Sequence, residues 1–199
     1  MIHFFVWLQF LTFIVPLVFS PGPGNTTFAA MGSQYKFAGT MRFWIGFELG
    51  DIFLCSVYAF GLGELIHRFH SIEIGLKWAG IAFLFYLTWT FARSAIHPSK
   101  YIEKNTTPAL GFVDGFLSVF LNPKIHTMLL ALFSQFGALN SFLQLSQLTL
   151  GFLIISIIGH GIWIAGGHFF LSRFQSNTAQ RVINSVFALS IAWTAITMI

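Results

Sequence analysis

The chain has 199 residues, 56% of them hydrophobic and 8% charged, with a mean hydropathy of +0.77. That composition excludes an ordinary soluble domain and describes a chain whose main solvent is lipid. The net charge of +4 is spread over short polar stretches with no long basic tract, which excludes nucleic acid as a partner, and the single Cys55 excludes both an intramolecular disulfide and a Cys-x-x-Cys redox pair.

The first predicted element is an apolar run from Phe4 to Ser33. As one straight helix it would extend roughly 45 Å, beyond the roughly 30 Å hydrocarbon core of a bilayer. Ser20-Pro21-Gly22-Pro23-Gly24-Asn25-Thr26-Thr27 interrupts it. Two prolines remove backbone donors and two glycines loosen the chain, so carbonyls before the break and N–H groups after it lose helical partners. Such backbone cannot face lipid and must be buried in protein or line a watery cavity. No basic n-region precedes the run, and Pro-Gly-Pro stands where a cleavage site needs small residues, so it reads as a retained first helix.

A polar stretch is expected over 34–42, helix 2 over 43–62 and helix 3 over 74–92. The short connection between those two helices contains Glu64, His67, Arg68, His70 and Glu73. Residues 93–108 form the longest polar loop. Helix 4, over 109–136, is again too long for one straight span, and Asn122-Pro123-Lys124 near its middle predicts a second break. Helix 5 covers 142–171, with glycines that favour close helix contact. Helix 6 covers 182–199.

The expected fold is an all-α integral membrane protein, one transporter domain over 1–199. It comprises repeat 1 over 1–92, a cytoplasmic loop over 93–108 and repeat 2 over 109–199. Pro23 and Pro123 fall about 100 residues apart, each followed by Ser-Gln-aromatic at Ser33-Gln34-Tyr35 and Ser134-Gln135-Phe136. Three helices per half make the halves inverted repeats, the plan of transporters that bind substrate between repeats near the midplane. Lys36, Arg42, Arg93, Lys100, Lys104, Arg173 and Arg181 lie in alternate loops, against Arg68 and Lys77 on the other side. The positive-inside rule therefore puts both termini outside.

Four ordered stretches resemble the LysE/RhtB family of amino-acid exporters: Pro21-Gly22-Pro23-Gly24-Asn25, Gly46-Phe47-Glu48-Leu49-Gly50-Asp51, Lys77-Trp78-Ala79-Gly80 through Leu84-Phe85-Tyr86-Leu87-Thr88-Trp89 to Arg93, and Leu121-Asn122-Pro123-Lys124 to Phe136. The resemblance implies proton-driven export of amino acids or close relatives across a bacterial inner membrane, with no enzymatic step and no cofactor. It leaves a homodimer open. Two positions depart from the family's pattern: Gly24 shifts Asn25 by one, and Glu48 stands where helix 2 is usually apolar.

Asp51 lies roughly 14 Å along a helix from Arg42, near mid-membrane, with Glu48 one turn earlier. Intramembrane carboxylates are costly and mark function by default, so Asp51, Glu48 and, among the histidines at membrane depth, His160 are the candidates for proton coupling. The alternative for each is a structural brace; His126 and His160 fit packed, hydrogen-bonded core positions as well. Pro21, Gly22, Pro23, Asn25 and Thr26 at the first break, with Asn122, Pro123 and Lys124 at the second and Asp51 between, are the candidate substrate contacts. Free N–H groups of a half-helix can receive a carboxylate. Asn25 or Thr26 could instead serve only as an N-cap, and Lys124 could snorkel or pair with Asp51 or Asp114. Asp114 is expected to favour a helix dipole, and Trp7, Trp44, Tyr101 and Trp193 to be interface anchors. No spacing resembles a metal site: His160 and His168 stand eight apart with no Cys or acidic ligand nearby.

Two rivals with related architecture remain. A membrane thiol electron carrier is opposed by the single Cys55. A transporter of metal cations would want acidic residues beside both breaks, where Asn25 and Lys124 stand.

Overall fold

The computed structural model describes residues 2–59, 70–96, 110–136, 142–174 and 176–197. Among them there is no strand. Seven α-helices follow in order: α1 (Phe4–Phe19), α2 (Pro23–Ala59), α3 (His70–Ile96), α4 (Phe112–Phe120), α5 (Pro123–Phe136), α6 (Phe142–Phe169) and α7 (Asn177–Thr197), with a 3-10 turn at Leu171–Arg173. The expected residues Glu64, His67, Arg68, Pro98, Lys100, Tyr101, Glu103 and Lys104 lie outside the described residues.

The polar stretch 34–42 separates two helical segments as expected, but the interruption is confined to one residue and the rest is helical. The α2 helix runs through it with one interruption, Lys36, at φ 58° and ψ −169°. Lys36 divides a helical segment over 23–35 from one over 37–59, so the division between the half-helix and helix 2 is present as a kink at one residue, and the other polar residues, good helix formers, stay helical on either side of it.

Two described stretches, Trp78–Ile96 and Phe142–Arg173, are long and apolar enough to cross a bilayer, or four if α1 with α2 and α4 with α5 each count as one bent span. The outward faces are oily, on Phe142–Arg173 through the exposed Leu150, Ile154, Ile158 and Ile162, and also on α7, which is not one of those stretches. On α7, Leu189 and Trp193 are 70% and 69% exposed, while Asn184, Ala188, Ile191 and Ala195 face inward. Helices apolar on their outward face are suited to lipid contact.

The chain bends by 57° between α1 and α2 and by 55° between α4 and α5. At the first bend the Asn25 side-chain amide donates both hydrogens, to the Val18 carbonyl at 2.7 Å and the Ser20 carbonyl at 2.9 Å. Asn25 therefore closes off carbonyls that the break released, in place of the N-cap considered from sequence. The Lys124 ammonium, from the second bend, donates to the same Ser20 carbonyl at 2.8 Å. Asn122 Oδ1 accepts the Lys124 backbone N–H at 3.1 Å, covering one free donor at the start of α5.

The α2 helix is the centre of the packing, lying against α6 and α4, while α3 packs on α7. Glycines set its closest approaches. A Cβ on Gly46 would run into the Phe112 carbonyl and one on Gly115 into the Phe43 carbonyl; Gly32 and Gly167 stand in the same relation to the carbonyls of Ile164 and Ala29. Backbone meets backbone at both crossings.

Two stability predictions follow from these contacts. Gly46→Ala should destabilise the detergent-solubilised protein by about 1–3 kcal/mol through overpacking, whereas Gly166→Ala, with open space around it, should be neutral or stabilising; thermal unfolding followed by size exclusion checks both. Asn25→Ala should cost about 1–3 kcal/mol, because the Val18 carbonyl loses its side-chain donor and the Ser20 carbonyl keeps only Lys124. An Asn25→Ala protein as stable as the parent would remove the bracing role.

Candidate functional site

The two breaks and the middle of α2 and α6 line a small, partly open cavity. Its polar lining is Asn25, Asp51, Asn122, Lys124, Ser156 and His160; Leu17, Phe47, Ile125 and Met128 supply an apolar wall. The volume is about 30 Å³, room for a water molecule and not for a larger solute in this conformation. Gly22 and Gly24 keep it open to neighbours: a Cβ on Gly22 would lie 3.0 Å from Lys124 Cδ, and one on Gly24 2.9 Å from the Phe47 ring. The inserted Gly24 is thus accounted for by the close passage of Phe47.

Glu48 and Asp51 stand one turn apart on α2 and face different neighbours. Glu48 Oε1 accepts from the Trp44 indole N–H at 2.7 Å and lies 2.6 Å from His160 Nδ1. The pair is an ion pair when the imidazole is protonated and a neutral hydrogen bond otherwise. His160 is held in place by stacking on Phe28, centroids 4.6 Å apart at 29°, and by an edge contact with Phe47 at 4.8 Å. Asp51 is 1% exposed, and its Oδ1 has no hydrogen-bond partner, as is also true of Glu48 Oε2. A buried carboxylate oxygen without a donor is costly, and such a group is retained where something else is meant to meet it.

Of the residues singled out from sequence, Gly22, Asn25, Asp51, Asn122, Lys124 and His160 meet at the cavity. Glu48 sits behind His160 and touches the cavity only through it. Pro21 is exposed and Pro123 half-buried, while Pro23 and Thr26 are buried without lining the cavity. Lys124 donates to backbone at Ser20. Asp114 accepts the Gly111 N–H at 2.8 Å and the Tyr86 hydroxyl at 3.0 Å, a role at the start of α4 away from the cavity. His126 bonds Tyr58 at 2.9 Å and the Phe120 carbonyl at 2.6 Å.

Sequence reading missed three contributors. Trp44, taken for an interface anchor, is half-buried and holds Glu48. Ser156 is one turn before His160 on α6, a spacing that could have flagged it once His160 was placed inside. Met128 carries no signal beyond its apolar pattern.

Residues 15–199 match the profile of LysE type translocators. Three relatives, each named cysteine/O-acetylserine efflux protein, are similar along nearly the whole chain. Those of Salmonella paratyphi A and Escherichia coli O1:K1 are 27% identical over 195 residues, and that of Salmonella typhimurium is 27% identical over 196; each alignment covers 94% of both chains. No solved structure matches. With the profile running from residue 15 to the last residue, across both bends and every cavity-lining residue, the chain belongs to the LysE type translocator family.

Proposed function

We propose that the protein is a secondary transporter, not an enzyme, which exports a small zwitterionic amino acid across the bacterial inner membrane in exchange for protons. The observation that carries this reading is one cavity lined by both Asp51, whose Oδ1 has no partner, and Lys124. The substrate ammonium meets Asp51, and its carboxylate meets Lys124 and the N-terminal end of α2. A short side chain rests against Leu17, Phe47, Ile125 and Met128. The size and polarity of cysteine or O-acetylserine, which the relatives' names give as their cargo, suit that division.

The cavity is too small for such a molecule as it stands, so alternating access is part of the reading. A single domain of six spans in two inverted repeats supplies the mechanism. Its support is internal likeness: Val18 sits over Gly159 of α6, where a Cβ would be 2.9 Å from its side chain, and Val119 sits over Gly50 of α2, where a Cβ would be 3.0 Å away. Each valine stands shortly before its break, one in each half. Each partner glycine belongs to the second helix of the opposite half.

Protons compete with the substrate ammonium at Asp51, with Glu48 and His160 as neighbouring carriers. Asp51→Asn keeps the shape and cannot exchange a proton. In proteoliposomes it should fail to accumulate labelled O-acetylserine or cysteine under a pH gradient while retaining some downhill exchange. Accumulation at the parent rate would remove Asp51 from coupling. Failure of the parent itself to move either compound, with an efflux screen showing another class of solute, would overturn the substrate assignment.

Orientation follows from the basic loops: both termini face outward. In a Cys55→Ala background, a cysteine placed at Ser71 should react with an impermeant maleimide added outside, and one at Ser99 should not. The reverse labelling would invert the topology and the cytoplasmic route of entry.

A further inference from the structure

The geometry points to a binding site for one divalent transition-metal ion of the zinc class, formed by Glu48, Asp51 and His160. The ligating atoms of the three lie within 4.8 Å of one another, and the two helices that carry them, α2 and α6, are in direct contact. Independently of that clustering, Asp51 is 99% buried by its 1% exposure, and its Oδ1 lacks a partner. Glu48 Oε2 is likewise unpartnered. The group therefore contains more acceptor oxygens than the protein supplies donors for.

One imidazole nitrogen and two carboxylates suit zinc, cobalt or nickel, whereas calcium takes six to eight oxygens and magnesium a near-ideal octahedron. The His160 Nδ1 to Glu48 Oε1 contact of 2.6 Å is bridged by a proton. A metal ion replaces that proton, and tetrahedral ligation at about 2.0–2.2 Å would open the pair to about 3.3 Å. Side-chain movement on two helices supplies that much. Trp44 holds the Glu48 carboxylate from behind through its indole N–H, the outer partner that metal-bound ligands usually have. The cavity, lined by Ser156, gives the ion an open fourth position. Lys124 lines the same cavity, and its ammonium is anchored on the Ser20 carbonyl.

The site opens on the cavity that the two breaks also line, and the ion held there is not a cargo. Its consequence is competition: an ion held by Asp51 excludes a proton or a substrate ammonium from it. Zinc should thus block the transport cycle proposed above, but the site stands on geometry and can be tested without transport.

The test uses the purified full chain in nanodiscs, without a polyhistidine tag, titrated with cobalt(II) and followed by its visible absorption. We expect one saturable ion per chain, displaced by zinc. His160→Gln and Glu48→Gln should each weaken binding by about tenfold or more, Trp44→Phe should weaken it by about tenfold, and His168→Gln should leave it unchanged. Lack of saturable binding to the parent, or parent-like affinity in both His160→Gln and Glu48→Gln, overturns the proposal. Should those variants fail to fold, X-ray absorption of the cobalt-loaded parent decides. One imidazole with carboxylate oxygens supports the site, and an all-oxygen shell or several imidazoles sinks it.

Discussion

The Ser20 carbonyl is where the molecule is tied together. It accepts one hydrogen bond from Asn25, a few residues on in its own broken segment, and another from Lys124, which belongs to the other one. In hydrocarbon a released carbonyl costs several kcal/mol if left bare. A break inside the membrane can therefore persist only if donors are brought to it. Asn25 provides a local donor, and Lys124 a distant one whose four-carbon stem crosses Gly22. The same need that satisfies the first break draws the second towards it, and the space left between the two is the cavity. Burial of polar backbone, more than any apolar contact, fixes where that cavity lies.

The two α2 carboxylates show how neighbours differentiate chemically equal groups. Glu48 is matched on one oxygen by an indole and an imidazole, so its position is set by partners on two helices. Asp51, one turn later, is enclosed with one oxygen unanswered. Each therefore keeps one oxygen without a donor, and they differ in placement: Trp44 and His160 fix Glu48 from two helices, whereas Asp51 lines the cavity. Sequence spacing could not tell the two apart, because both sit at membrane depth on one helix.

Much of the candidate site was legible because proline, asparagine and charge are rare in apolar runs and stand out when present. Pro-Gly-Pro, Asn-Pro-Lys and the Glu48 and Asp51 pair needed only the cost of polar groups in lipid to be noticed. What could not be read were relations between distant residues. His160 meets Glu48 across 112 positions and Lys124 meets Ser20 across 104. The glycine crossings were anticipated only as a tendency of helix 5, since a glycine's partner is a backbone carbonyl, which every residue has. The division between the half-helix and helix 2 falls inside 34–42 as expected but is narrowed to Lys36, because polarity reports on surroundings and continuity depends on the backbone. Lys36 shows no sequence mark of its positive φ, a conformation more often given to glycine or asparagine.

That residue gives α2 a mechanical character. Residues 23–35 form a straight rod of about 20 Å at 1.5 Å per residue, with Ser20 to Gly22 at one end and Lys36 at the other, neither of them helical. The rod has a joint at each end. Along its length it carries Asn25 at the cavity and Gln34, whose amide bonds Asn184 of α7 at 2.5 Å. Between those ends Ala29 and Gly32 meet the backbone of α6, so the rod is seated on α6 with one end at the cavity and the other against α7.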